Sequence, residues 1–439
     1  MADNREELNK RRQERRARER ARKKRRQLLG RVLIAVMMIT LVAVGILMLT
    51  PSGGDRPDTP NQGNVSLEET APSGDPEPTK AQEDEEHPAT VIHVAAAGDL
   101  VVNDTTVAAG KTETGYDYTQ VFMDVAPVLS DADLTLLNFE GNLLGVPYGT
   151  ETTSAPAELP LALKAAGVDL VQMANSTAIT DGVASLKTTL AALRQTGLEP
   201  MGAYADSQEF QKYKGYTLVN VQGIRIALVA FTKGMNSLSL PAGSENCVNL
   251  LYTDYATTYQ NIDKAGINAI LANVEKEKPD LTIALVHWGS EYKDMVTKSQ
   301  ENIAKLMKEG GVDVVLGTHP HMLHEIKYDE LTGNLVAYSL GDFFGEADRA
   351  GTDYSIILDL EITKDGVSGE TKVTGFSYTP IYTLTEETSP NGYRQVVQLD
   401  KALKAYEDQF VDRVSDEVYE DMAYALGRIQ ARTEPNKTN

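Results

Sequence analysis

Disulfide chemistry is absent from this chain. Its 439 residues include one cysteine, Cys247, so no intrachain bridge can form and packing alone must hold the fold. Internal repeats are absent, and low complexity is confined to one proline-rich stretch. Basic charge is scarce: 42 Lys+Arg stand against 63 Asp+Glu, a formal net charge of -21. It is also unevenly placed. Residues 1–31 hold 14 Lys/Arg against 5 Asp/Glu, a net of +9, which leaves -30 on the rest. A folded region so poor in basic charge excludes a general nucleic-acid binder, because affinity for a phosphate backbone needs a basic footprint.

Charge is missing altogether from Val32 to Thr50 (VLIAVMMITLVAVGILMLT). As a helix this stretch would span roughly 28 Å, about the thickness of a bilayer core. It has no polar face at helical spacing, so it does not read as a buried core helix. The basic run of residues 5–26 directly before it predicts an uncleaved anchor with the N-terminus inside and the bulk of the protein outside. A cleaved signal peptide fits less well: its basic region would be unusually long, and no A-x-A site follows. Residues 51–90 carry seven prolines and ten acids against two basic residues. Such a segment cannot bury enough apolar surface to fold and is expected to be an extended, disordered acidic stalk.

From Val91 short apolar runs alternate with helical patterns. Residues 91–97, 134–139, 168–173, 224–231, 281–288 and 312–317 read as buried strands. Residues 183–197, 261–278 and 299–310 read as amphipathic helices. This alternation predicts an α/β domain, which we bound at 91–385. Two antiparallel strands follow Gly351, and a helical extension occupies 386–439, with its helical pattern running from Val397 to about Gln430.

Candidate chemistry collects just after the strands. Four of the six histidines, His287, His319, His321 and His324, follow two of them. Gly98-Asp99, Asn138-Phe139-Glu140 and Asn175 follow three others. Sites of open α/β sheets gather at carboxyl ends of strands, and Asp, Glu, Asn and His together form a ligand set for Zn, Mn or Fe. The spacing in His319-Pro320-His321 puts both imidazoles on one side of an extended chain. Each feature also has a plainer explanation. Gly-Asp after a strand is usually a turn, and Trp288, the only tryptophan, can simply pack beside His287. The repetition of the placement carries the site.

The motifs AGDLVVND (97–104), YDYTQVFMDVAPVLSDADLTLLNFEGNL (116–143), ANSTAITDGVASLKTTLAALRQTGLEPMGA (174–203), VHWGSEY (286–292), GTHPHM (317–322) and YSLGDFF (338–344) resemble the capsule-synthesis proteins called CapA or PgsA. These lie within the calcineurin-like metallophosphatase superfamily. The resemblance implies a four-layer αββα sandwich and a site for two divalent ions, Mn, Zn or Fe. In it Asp99 binds one ion and Glu140 bridges the pair. Asn175, His287 and His319 hold the second, and His321 returns to the first. Asn138, Trp288, Glu291, His324 and Asp342 stand in or beside the same motifs as neighbours of the ligands. It further implies an extracytoplasmic role in making or exporting an anionic polymer, poly-γ-glutamate, with membrane synthase or export proteins as partners.

The chain departs from the family at two places. Thr177 stands where a histidine is usual, and threonine cannot act as an acid or base near neutral pH. Asp342 stands where asparagine is commoner. Three functions remain open: a polymer assembly factor, a metallohydrolase acting on a phosphoester or γ-glutamyl bond, and a surface scaffold. The net charge of -22 on residues 91–439 should repel a polyanion unless metals or a local basic patch offset it.

Overall fold

A computed structural model describes residues 65–67, 88–408 and 414–434. The basic tail, the apolar span 32–50 and nearly all of 51–90 lie outside the described residues. Among those described, no helix is long and apolar enough to cross a membrane.

The fold is an α/β sandwich of two sheets. One orders its strands as Gln395–Gln398, Thr371–Leu384, Tyr354–Lys364, Thr90–Val101, Leu134–Glu140, Leu170–Gln172 and Glu199–Met201, with Asp342–Phe344 also paired to Thr90–Val101. The other orders Val65–Leu67, Tyr216–Val221, Ile224–Thr232, Leu281–His287, Val314–Thr318, Asn334–Ala337 and Ile326–Asp329. All the strands expected from the apolar runs form. Leu134–Glu140 and Leu281–His287 are buried along their whole length, as parallel strands covered on both faces must be.

Alternation along a strand shows the layering. In Ile224–Thr232, Ile226, Leu228 and Ala230 join the core shared with the first sheet. Ala227, Val229 and Phe231 instead meet Ile267, Ile270, Leu271 and Val274 of helix Lys264–Glu277 and Ile303 and Met307 of helix Lys298–Glu309. Those spacings place one apolar stripe on each helix. Asp263 and Thr297 cap them, each accepting a backbone N–H of the first turn. Leu186, Leu190 and Leu193 of helix Val183–Gln195 are fully buried in the shared core, each contributing roughly 2 kcal/mol by its area.

Two expected boundaries shift. Val65–Leu67, within the segment read as a stalk, pairs antiparallel with Val219–Val221. A three-residue Val-Ser-Leu stretch suffices because the open edge of a sheet offers unpaired backbone groups. The first sheet also continues past residue 385, since Gln395–Gln398 pairs with Ile381–Leu384 and buries Val396 and Val397. Helices Leu399–Glu407 and Asp416–Thr433 follow, in the region expected to be helical.

Candidate metal centre

Both sheets deliver polar groups to one place through the ends of their parallel strands. Asp99 pairs in register with Asn138 on one side and with Asp342 on the other, and Glu140 ends its strand opposite Val101. From the second sheet, His287 ends its strand opposite Thr318, and His319 and His321 follow directly. Close backbone approach makes this possible. The Asp99 amide donates to the Gly341 carbonyl at 2.9 Å, and a Cβ built on Gly98 would collide with that same oxygen.

Two groups of ligand atoms result, each with its members within 4.8 Å of one another: Glu140, His287 and His319, and Asp99, His321 and Asp342. All six residues are buried. The His-Pro-His segment is not extended with its rings on one side. His319 and His321 have φ of 92° and 60°, the left-handed region that non-glycine residues enter at a cost of about 1–3 kcal/mol. The turn sends one imidazole to each group, with ring centroids 6.2 Å apart. Asp342, expected beside the ligands, is itself in a group: its Oδ1 lies 2.8 Å from His321 Nδ1.

The hydrogen-bond network reveals what the first group lacks. Gln172 spends its amide N–H donors on the carbonyls of Ala174 and Phe231, so its oxygen is left to accept from the Thr318 hydroxyl at 3.2 Å. Thr318 therefore has no proton for His287 and accepts from His287 Nδ1 at 3.1 Å. Burial pushes the His287 pKa down despite Glu140. Its Nε2 lies 2.7 Å from Glu140 Oε1, without hydrogen-bond alignment. The buried Nδ1 of His319 is likewise without a partner. Two unpartnered imidazole nitrogens buried beside a carboxylate suit a cation, so the residues fit a divalent metal.

Electrostatics divide the two groups. Burial works against the charge of Glu140, but His287 and His321 outweigh it and hold its carboxyl down at about 2. Burial, with Glu140 nearby, pushes Asp99 up to about 8, although Asn138 donates to it at 2.6 Å. Burial opposes a charged His321 too, yet Asp342, Glu140 and Asp99 hold it well above the ordinary histidine range. His319 falls well below that range through burial and its neighbours His287 and Lys233.

The remaining sequence candidates are distributed around these groups. Asn175 donates to Asn138 Oδ1 and to the carbonyls of Phe139 and Gln172. Its own oxygen accepts from the Thr177 amide and hydroxyl. Trp288 donates to the Tyr338 carbonyl and stacks on that ring, a packing role. Exposed Glu291 and buried His324, whose Nε2 meets the Lys293 carbonyl, belong to neither group. Ser176 and Lys233 were missed. Ser176 donates to Glu140 at 3.0 Å, and Lys233 Nζ sits 3.3 Å from His319 Nε2. Lys233 directly follows the strand ending at Thr232, so the strand-end rule points to it, but lysine is no usual metal ligand. Tyr292 stacks on His321 at 5.2 Å. The loop carrying Tyr292 is tied down by the final helix, where Arg428 and Arg432 both contact Asp294, at 2.8 and 2.5 Å.

The profile of the bacterial capsule synthesis protein family PGA_cap matches residues 93–347, more than half of the chain and all six ligand-group residues. The chain belongs to that family. Two relatives carry capsule or PGA biosynthesis names. The capsule biosynthesis protein CapA of Bacillus anthracis is 27% identical over 58% of this chain and 60% of its own length. The PGA biosynthesis protein CapA of Bacillus subtilis (strain 168) is 27% identical over 65% and 71%. The chain thus spans three-fifths of the B. anthracis relative. Among solved structures, the calcineurin-like phosphoesterase YfkN from B. subtilis aligns at 14% identity and a TM-score of 0.40, covering 67% of this chain and 91% of that one. A putative 5'-nucleotidase from Staphylococcus aureus aligns at 11% identity and 0.44, covering 66% and 54%.

Proposed function

We propose that this capsule-family chain is a membrane-anchored, extracytoplasmic protein that handles an anionic capsular polymer of the poly-γ-glutamate kind through a centre of two divalent ions. The observation that carries the metal is His287 Nε2, buried without a hydrogen-bond partner 2.7 Å from Glu140 Oε1. The anchor rests on the uncharged span 32–50 behind its basic run, and the polymer on the printed name of the B. subtilis relative. Glu140, His287 and His319, with Asn175 nearby, would hold one ion, and Asp99, His321 and Asp342 the other, with Glu140 reaching toward both. A divalent ion there supplies Lewis acidity and lowers the pKa of bound water.

The chain's own residues favour handling over hydrolysis. Thr177 offers only a hydroxyl, already donated to Asn175 Oδ1, where an acid or base would be needed. Elemental analysis of the purified protein should show about two metal equivalents. Turnover of a generic phosphodiester should be negligible in the wild type and gained in Thr177→His. Substantial wild-type turnover abolished by His287→Ala would establish a hydrolase instead, and metal-free protein would leave a scaffold.

Metal uptake should release protons. Asp99, raised to about 8, and His321, raised well above its usual range, both hold protons at pH 7 and must lose them to bind a cation. Affinity therefore rises with pH, with the Asp99 contribution levelling off above about pH 8. Titration calorimetry in buffers of different ionisation enthalpy should show release at pH 6.5–7. An uptake independent of buffer would show that these groups are already deprotonated.

A further inference from the structure

We propose that Lys233 and Arg349 grip a carboxylate-bearing polyanionic chain at the two ends of a contact ladder crossing both ligand groups, an inference that rests on the polymer-handling reading and names the residues that select charge. The ladder runs from Lys233 Nζ to His319 at 3.3 Å, from His319 to His321 at 6.2 Å, from His321 to Tyr292 at 5.2 Å, and from Tyr292 to the Arg349 guanidinium at 3.9 Å.

Buried and half-buried cations elsewhere in the acidic domain are mostly ion-paired. Lys164, Arg194, Lys364, Arg394, Arg428 and Arg432 all pair with carboxylates within 4.0 Å. Lys233 and Arg349 make no such pair among the described residues. Each is held over a tyrosine instead, Lys233 at 4.8 Å from the Tyr259 ring and Arg349 over Tyr292. Lys233 also donates to the Gly289 carbonyl at 2.7 Å, which aims the half-buried ammonium at the ligand groups. Arg349 is exposed, with its fork open to a carboxylate. Exposed Glu291, which acts on Lys233, and exposed Glu346, which acts on Tyr292 beneath Arg349, are local charges opposing an incoming anion.

This arrangement resolves the charge conflict posed by the composition. Long-range repulsion from an acidic surface is screened beyond about 8–10 Å at physiological salt, whereas two unpaired cations beside the site act at contact. One carboxylate is too small to reach both ends of the ladder. A chain with a carboxylate on each residue reaches both, and the second contact then forms at high effective concentration.

The test uses the full-length protein in detergent with manganese present, and compares free glutamate with γ-linked glutamate oligomers. Oligomers should bind at least about tenfold tighter than the monomer, the worth of one added charge-assisted contact. Arg349→Ala should remove that gain, Arg349→Lys should restore part of it, and both should keep full metal content. Lys233→Met should weaken the monomer and oligomer alike. Equal binding of monomer and oligomer, or an Arg349→Ala variant that keeps the length dependence, would overturn the grip. Polyphosphate binding tighter than the glutamate oligomer would overturn the carboxylate class. Loss of metal from the wild type would count against the metal centre instead, so the two failures are separable.

Discussion

In His287→Ala, most of the metal-dependent stabilisation of this protein is expected to disappear, on top of what the metal-free protein loses in packing. The imidazole is fully buried, and its Nε2 has no hydrogen-bond partner, so in the metal-free state its deletion costs a cavity and the contact with Glu140. In the loaded state it removes a ligand, with a loss of at least about 100-fold in affinity, the upper end of what even a ligand's supporting partner is worth. At a metal concentration 1,000 times the wild-type Kd, binding stabilises the fold by about 4.1 kcal/mol; a 100-fold weaker site leaves about 1.4. Thermal melts with and without manganese measure the difference. An unchanged metal-dependent shift would show that no ion sits between Glu140 and His287.

Gly98→Ala is expected to be the most disruptive small substitution in the domain, costing about 3–5 kcal/mol and lowering metal content with it. The added methyl would meet the Gly341 carbonyl, which is backbone and already accepts from Asp99. Relief requires moving strand Asp342–Phe344 away from Thr90–Val101, which carries Asp342 away from Asp99 and His321. Gly341 itself sits at φ 77° and adjusts poorly. Chemical denaturation and metal analysis of the variant check this. A near-native midpoint would mean that the two strands are less tightly joined than their register indicates.

Sequence patterning reached far into this fold because parallel strands buried on both faces leave unbroken apolar runs, and because polar residues that end such runs stand out. That rule points to Asp99, Glu140, His287, His319 and His321, which the fold gathers into the two groups. It failed where the determining fact was backbone conformation. Nothing in His-Pro-His announces two left-handed residues, so the spacing alone suggests imidazoles on one side of an extended chain, while the family resemblance already assigns them to different ions. Asp342, read as a neighbour of the ligands, joins a group because a parallel strand of three residues, too brief for a periodic signal, sets it beside Asp99. Ser176 and Lys233 escaped because hydroxyl and ammonium groups are not usual metal ligands, although they touch Glu140 and His319.

The hold of the last helix on Asp294 has a consequence in time. Every residue of the two ligand groups lies at or before position 342, whereas the arginines that fix the Tyr292 loop are Arg428 and Arg432. A growing chain therefore carries its complete set of ligands long before it can secure the rim beside them. The rim closes only when synthesis has passed Arg432, so a product stalled before that point has the ligand groups without the finished rim. The order of the residues along the chain thus sets the order in which the site is assembled.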